Sequence, residues 1–491
     1  MIYLIGFGDE EKGQAQGFAF HKSRAATYDV SRKPQTVDRL VLPEHFVQGH
    51  VMAGKLEDIH ASEGLRRIIR NIGWLLGGKG FAAIVSLVYL AILARSLGLK
   101  GFGHFSLIFG TAQAMVAIAG FQTWQTIVRF GARHLTAKKE DRFARLAVFG
   151  GAIDIIGSVL GTLFAGIVIY GFGDQLELNP RYVTAAFLFI ATLLFARGTA
   201  PTGIIRVLDR YDLAVAAGAI TPVARLFAAL YIWNTGATVV RFLLAWGAIE
   251  LFSAGLLWAI AYRLQKGNLK FSDITQWRRT VRENPGLLGF LGVTYASQTI
   301  QAVLQHGPLL AVGYFLGTRA AGVYRIADQL AKALSKLATL VTQAIYPEVN
   351  RQKHQAPEAE FQRLITRISL IVFGAGALIV LIALLVGRQV LELIGGPEFS
   401  QGAPLLLPLA IAASFDLAAV AFEPVLHAHG KAHWSLGVRL FGVAAMTLST
   451  ALFVGFGVIG VSWAVALAFA VIYLAFAIVV RRAILCSRGG A

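Results

Sequence analysis

Charged residues are scarce in this sequence. They make up 15% of its 491 residues, whereas soluble domains carry about 25%. A chain this poor in charge cannot cover its surface with groups that bind water, so the composition excludes an ordinary soluble protein. The mean hydropathy of +0.63 supports the same conclusion. The first prediction is therefore an integral membrane protein.

Cysteine is almost absent, because Cys486 is the only one. One thiol can form neither an intrachain disulfide nor a thiolate metal cluster. His427, His429 and His433 lie close together but have no neighbouring acid, so we predict no metal site and no cofactor. The sequence also lacks a Walker motif, a catalytic constellation and a large soluble segment for a glycosyltransferase site. We therefore predict that the protein is not an enzyme.

Acidic residues are few, with 27 Asp and Glu against 45 Lys and Arg and a net charge of +18. The basic stretches are not interleaved with aromatic residues for base stacking, so a nucleic-acid partner is not predicted. Instead, Lys and Arg are concentrated in every second loop between apolar stretches. Basic residues accumulate on the cytoplasmic side of membranes, which predicts a multi-pass membrane protein with both termini in the cytoplasm.

Long apolar runs are abundant. A bilayer core requires roughly 20 apolar residues per helix, and the seventh run is longer because Pro308 is expected to kink it. Twelve runs fit this requirement: 72–94, 104–128, 146–171, 182–200, 213–233, 240–262, 285–315, 320–346, 364–387, 403–426, 434–456 and 460–480.

A short motif is written twice. The stretches "SLGLKGFGHF" (96–105) and "FLGTRAAGVY" (315–324) share the frame L-G-x-(K/R)-x-x-G-x-(F/Y). Two shorter echoes follow in the same order: Phe143, Arg145 and Leu146 with Phe361, Arg363 and Leu364, and Arg225, Leu226 and Phe227 with Arg439, Leu440 and Phe441. We interpret the chain as two duplicated six-helix lobes that enclose a site between them.

The predicted organisation follows from the spans and the repeat. The first lobe covers 66–264 and the second 285–485, with a cytoplasmic linker at 265–284 and a cytoplasmic tail at 486–491. Residues 1–65 lie outside the pattern. They are either a polar cytoplasmic extension or a mis-assigned start, with Met52 as the first residue.

The eighth predicted span carries four charged residues on one face. Arg325, Asp328, Lys332 and Lys336 fall within about 80° of arc at 100° per residue. Ionisable groups at membrane depth are costly and usually functional. The seventh span carries its own polar stripe of Gln298, Gln301 and Gln305. We predict a positively charged, water-filled cavity that binds phosphate. The alternative is that Asp328 pairs with Arg325 or Lys332 and joins helices.

Other charges also fall inside the predicted spans. Arg225 and Arg439 lie at equivalent positions of the two lobes and either line the cavity or anchor helices, and Lys79 either binds substrate or extends to the membrane edge. Four acidic residues are candidates for proton or sodium coupling, with pairing to a neighbouring arginine as the alternative: Asp154, Glu250, Asp416 and Glu423.

Three segments carry a resemblance to a known family: "AILARSLGLKGFGHFSL" (91–107), "FLGTRAAGVYRIADQLAK" (315–332) and "AIYPEVNRQ" (344–352). With these segments the chain resembles the polysaccharide or O-antigen flippases (Wzx type) of the multidrug/oligosaccharidyl-lipid/polysaccharide (MOP) exporter superfamily. The resemblance implies an all-α polytopic protein of the bacterial inner membrane, with twelve transmembrane helices in two six-helix lobes that form a V, as in the MATE transporters of this superfamily.

The resemblance also implies an activity. Such proteins move oligosaccharides linked to undecaprenyl pyrophosphate from the cytoplasmic to the periplasmic leaflet by alternating access, for O-antigen or exopolysaccharide biosynthesis. The implied partners are this lipid-linked substrate, the bilayer, and a polysaccharide polymerase with its chain-length machinery. Two alternatives are a cation-coupled multidrug exporter of the same superfamily and a non-transporting scaffold.

Overall fold

The computed structural model describes residues 81–172, 179–265, 267–353, 358–419 and 432–488, together with Phe422 and Leu426. Regular structure in these ranges is helical throughout. The helices are α1 (Phe81–Ile118), α2 (Thr123–Thr136), α3 (Glu140–Phe172), α4 (Pro180–Phe195), α5 (Thr199–Val207), α6 (Tyr211–Thr235), α7 (Val239–Leu264), α8 (Trp277–Glu283), α9 (Leu287–Lys353), α10 (Glu358–Gly395), α11 (Ala403–Ala419), α12 (Ala432–Phe453) and α13 (Gly457–Arg488).

Nine segments within these ranges are long and apolar enough to cross a membrane. Large apolar side chains such as Leu163, Val215 and Phe227 are more than half exposed on them, as expected for a surface that faces hydrocarbon. Three of the segments have 49 or 53 residues, well beyond the roughly 20 that one crossing needs. The all-α membrane fold is thus confirmed, while the count of twelve crossings stays a prediction.

Two of these long helices are interrupted at the repeated motif. Gly98 has φ 64° and ψ 176°, and Gly317 has φ 85° and ψ 174°. Such backbone angles are open to glycine and strained for other residues. We therefore divide α1 into α1a (81–97) and α1b (99–118), and α9 into α9a (287–316) and α9b (318–353). Pro308 lies within the helical assignment, as Gly317 does, and the kink predicted at Pro308 stays a prediction.

Two other helices break where none was predicted. The predicted span 104–128 is divided by a turn at 119–122, between α1b and α2, and the predicted span 182–200 is divided at 196–198, between α4 and α5. Gly120 and Gly198 lie in these breaks, and glycine is a poor helix former. Pro201 comes in the first turn of α5, where a proline is tolerated.

Helix α9a lies along α1b and α2, and we call this contact the seam. It joins the half of the chain before the linker (81–264), here the first half, to the half after it (287–488), here the second half. The seam begins at the linker end with Phe130 and Phe290, whose rings are 6.0 Å apart. It continues with the stacked rings of Phe121 and Tyr295 at 4.8 Å, with Leu309 against Gly110, with Leu107 against Gly313, and with Gly103 against Thr318.

The two halves also meet beyond the seam, at the end where Gly98 and Gly317 lie, which we call the hinge end. Arg95 donates hydrogen bonds to the carbonyl oxygens of Leu393 (2.6 Å) and Ile394 (3.3 Å) at the end of α10. The rings of Phe102 and Phe399 pack edge to face at 5.6 Å. Both phenylalanines are fully buried, so this end of the interface is tightly closed.

Candidate functional site

Two arginines from opposite halves of the chain lie against one aromatic ring. The guanidinium carbons of Arg225 on α6 and Arg325 on α9b are each 5.7 Å from the ring centroid of Phe109 on α1b. Cations within about 6 Å of an aromatic centroid are attracted to its face. Phe109 therefore brings together two of the residues predicted to bind substrate. We call Phe109, Arg225, Glu250, His306, Arg325, Asp328 and Lys332 the interlobe cluster.

Arg225 is held from two sides. Its Nη2 donates a hydrogen bond to Glu250 Oε1 on α7 at 2.6 Å, and its guanidinium carbon is also 5.5 Å from the ring of Trp246 and 6.0 Å from that of Tyr89. Its Nε is buried and has no hydrogen-bond partner in the part of the chain that the structure describes. The pair with Glu250 matches the alternative in which the carboxylate binds an arginine, and the coupling role predicted for Glu250 stays untested.

Arg325 differs from Arg225 in its pairing. Among the described residues no carboxylate lies within 4.0 Å of its guanidinium, although Asp328 is close enough to act on it electrostatically. Asp328 instead accepts a hydrogen bond from Lys332 Nζ at 2.8 Å. Both members of that pair are on α9b, so it does not join helices as the alternative interpretation required.

The polar groups of α9a differ in their exposure. His306 is half-buried and lies near Arg325, Asp328 and Lys332, and its Nδ1 is buried without a partner among the described residues. Gln301 Oε1 is also buried without a partner, whereas Gln305 is exposed and Gln298 is half-buried. His306, which the sequence analysis did not include among the site residues, thus lies near the charges of α9b.

Asp154 lies at the two unpredicted helix breaks. Its carboxylate accepts hydrogen bonds from the hydroxyls of Thr123 (2.9 Å) and Thr199 and from the backbone N–H of Ala200 (3.0 Å). Thr123 and Thr199 begin α2 and α5, and a negative charge is stabilising at a helix N-terminus. Nearby, Arg197 donates to the carbonyl oxygens of Val116 and Ala119 at the end of α1b. This arrangement holds the breaks together.

The remaining predicted residues are placed as follows. Asp416 is exposed and Arg439 is half-buried, and both have interaction partners. Lys79 and Glu423, and the side chain of Lys336, lie outside the described residues, as does the predicted extension 1–65. In the part of the chain that is described, no group of three His, Cys, Asp or Glu side chains could hold a metal ion.

The linker is anchored to the first half by charged groups that the sequence did not single out. Glu283 accepts hydrogen bonds from Arg145 at 2.9 Å and from Arg279 at 3.2 Å, and Asn284 Oδ1 is 2.8 Å from His134 Nε2. Burial by itself would raise the pKa of Glu283. The hydrogen bond and charge of Arg145, the charge of Arg142 and the hydrogen bond of Arg279 outweigh this effect and lower the pKa.

Comparison with known proteins agrees with this architecture. Residues 68–353 match the family of polysaccharide biosynthesis proteins. The chain belongs to the polysaccharide biosynthesis protein family. One relative, "Inner membrane protein YghQ" of Escherichia coli (strain K12), is 26% identical over 358 residues, which are 72% of this chain and 100% of that protein. The family match includes both copies of the repeated motif and all of the interlobe cluster.

Solved structures of other proteins share the fold of this chain. An inward-facing MATE family transporter of the MOP superfamily matches with a TM-score of 0.65 at 18% identity, covering 83% of this chain and 96% of its own. Lipid II flippase MurJ in an inward closed conformation matches with 0.63 at 10% identity, covering 82% and 86%. An outward-facing MATE transporter gives 0.57 at 16% identity, covering 86% and 96%. The chain is thus a multi-pass membrane protein with the fold of these transporters.

Proposed function

We propose that this protein is a flippase for oligosaccharides linked to undecaprenyl pyrophosphate. The observation that carries the proposal is the pair of arginines on Phe109, because it brings cations of both halves to one point inside a membrane protein. The interlobe cluster contains more cations than carboxylates. The cations are Arg225, Arg325 and Lys332, and the carboxylates are Glu250 and Asp328. The described part of the cluster therefore favours an anion.

The chemistry of the cluster suits a phosphate headgroup. Guanidinium groups present paired donors that match phosphate oxygens, and such contacts strengthen where water is excluded. The unpartnered Gln301 Oε1 and His306 Nδ1 are then available for sugar hydroxyls, which both donate and accept hydrogen bonds. The lipid tail remains in the bilayer.

Transport follows from movement of the two lobes, 66–264 and 285–485. The linker, rich in basic residues, lies on the cytoplasmic side, so the hinge end is periplasmic. Arg95 and Phe102 hold that end closed against α10 and Phe399. Substrate enters the cluster from the cytoplasmic leaflet in this state, and release to the periplasmic leaflet requires the hinge-end contacts to separate. Both termini are cytoplasmic, and the substrate serves surface polysaccharide biosynthesis.

The cluster disfavours the alternative of a multidrug exporter for cationic drugs. Like charges repel, and Arg325, which has no carboxylate within 4.0 Å among the described residues, raises the free energy of a cation bound beside it. A scaffold without transport activity gives no reason for such an arginine inside the membrane. Cells that express the protein should therefore gain no resistance to cationic drugs.

The test is export of surface polysaccharide in cells that depend on this protein. Replacing Arg325 and Lys332 together by glutamine should reduce export at least about tenfold, because two charge-assisted contacts to phosphate are lost. Adding Lys336→Gln should deepen the loss. Arg388→Gln is the matched control, since Arg388 forms an exposed pair with Glu392 on α10. Normal export by the triple variant, with normal protein levels, would contradict the proposal.

A further inference from the structure

Two of the three cations in the interlobe cluster are already occupied. Arg225 is bound to Glu250 at 2.6 Å and Lys332 to Asp328 at 2.8 Å. A phosphate that uses these cations must therefore compete with a carboxylate that belongs to the protein. Only Arg325, among the cations described in the cluster, has no carboxylate within 4.0 Å.

We infer that Glu250 and Asp328 are internal counter-ions that occupy the substrate's phosphate site and are displaced when the diphosphate headgroup binds. This inference rests on the proposed function and adds to it a role for the two acidic residues. In the sequence they were candidates for ion coupling or for structural pairing. Displacement only exchanges hydrogen bonds, so no covalent bond is formed or broken.

The geometry of both pairs permits the exchange. The side chains of Glu250 and Lys332 are 29% and 40% exposed, so each pair has one member with room to move away from its partner. Arg225 contacts Glu250 through one nitrogen, Nη2, while its Nε is buried and unpartnered. A phosphate presents several acceptor oxygens and can bind a guanidinium through two nitrogens. It would thus satisfy a donor that the carboxylate leaves unpaired.

The order of events follows from the difference between the cations. The diphosphate first meets Arg325, whose guanidinium has no carboxylate to be displaced. It then competes for Lys332, on the same helix, and for Arg225 on the other half of the chain, across Phe109. In the empty protein the counter-ions weaken the attraction for small anions, because two of the three positive charges are compensated.

The experiment measures binding of inorganic pyrophosphate to the purified full-length protein by calorimetry, at constant ionic strength. Glu250→Gln and Asp328→Asn keep size and a hydrogen-bond acceptor but remove the competing charge. Each should bind pyrophosphate about 3- to 30-fold more tightly than the wild type. Arg325→Gln should bind at least about tenfold more weakly. Glu392→Gln, which neutralises the acid of the exposed pair on α10, should leave the affinity unchanged.

The outcomes separate the two proposals. If the wild type binds pyrophosphate and Arg325→Gln does not, but the Glu250 and Asp328 variants bind no more tightly, the counter-ion inference is overturned and the anion site stands. If neither the wild type nor any variant binds, the proposed function fails together with the inference. Thermal unfolding identifies a variant that does not fold. If Glu250→Gln does not fold, Asp328→Asn decides whether the counter-ion inference holds. Its ion pair lies within a single helix, so its loss does not separate two helices.

Discussion

The backbones of Gly103 and Gly322 pack directly against each other, although the two glycines are equivalent positions of a repeat. A Cβ on Gly322 would lie 3.2 Å from the Cα of Gly103 and 2.9 Å from the carbonyl oxygen of Leu99, and a Cβ on Gly103 would overlap the carbonyl oxygen of Thr318. The two copies of the motif therefore do more than reverse the chain in each half. They form the contact that closes the hinge end.

The first prediction concerns this contact. Gly103→Ala should push α1b away from α9b, because the added methyl group meets backbone atoms that cannot turn aside. We expect the hinge end to open. Its opening can be measured as faster maleimide labelling of Leu99→Cys, which is buried in the closed state, in a background with Cys486→Ser. Gly292→Ala is the control, since nothing lies within 4 Å of a Cβ at that position. Equal labelling rates in both variants would show that the contact between Gly103 and Gly322 does not close the hinge end.

The second prediction concerns Arg95. Arg95→Met keeps most of the side chain's length but loses two hydrogen bonds to the end of α10, at a cost of about 1–3 kcal/mol because the donor is charged. Labelling of the same cysteine should accelerate, and Arg95→Lys should fall in between because a lysine still donates to carbonyl groups. If Leu99→Cys is labelled at the same rate in the Arg95→Met variant as in the protein with the native Arg95, the hydrogen bonds of Arg95 do not keep the hinge end closed.

The third prediction concerns Asp154. Asp154→Ala should destabilise the protein by about 3–5 kcal/mol, because it leaves Arg197 without its nearby negative charge and three donors without an acceptor. Asp154→Asn should be milder, since the amide oxygen still accepts. Thermal unfolding in detergent gives the ranking. If Asp154→Asn is as stable as the wild type and its transport no longer responds to a proton or sodium gradient, the residue acts in coupling rather than in holding the helix breaks.

The fourth prediction concerns pH and Glu283. Since the pKa of this carboxyl is lower in the folded protein, its contribution to stability is complete above its unfolded pKa of about 4.3 and is lost as the pH falls through the folded value. Glu283→Gln should therefore unfold at a lower temperature than the wild type at pH 7, and the difference should shrink below about pH 4. A difference that is the same at both pH values would exclude the ion pairs as its cause.

The hinges could be predicted from the sequence because glycine spacing records a backbone requirement directly. Gly98 and Gly317 match in the repeated motif, and they adopt nearly the same φ and ψ. The charged face of α9b was also visible, because residues on one helix keep fixed angles to one another. Arg325, Asp328 and Lys332 are accordingly found together.

The partners across helices could not be predicted. Which residue faces Arg225 depends on the rotation and depth of α7 relative to α6, and neither is encoded in the spacing along one helix. Phe109 carried no signal, because an aromatic residue in an apolar stretch is ordinary. The breaks near Gly120 and Gly198 were overlooked because the flanking residues are apolar enough to continue a membrane helix.

The seam restricts where a lipid can travel. Its contacts run from Phe290 and Phe130 to Thr318 and Gly103, and residues 290–316 of α9a cover roughly 40 Å at 1.5 Å per residue. This length exceeds the roughly 30 Å thickness of the hydrocarbon core. An acyl or prenyl chain whose headgroup reaches the arginines therefore cannot extend into the bilayer between α9a and α1b. The seam closes this side of the interface to a lipid tail, which must enter elsewhere.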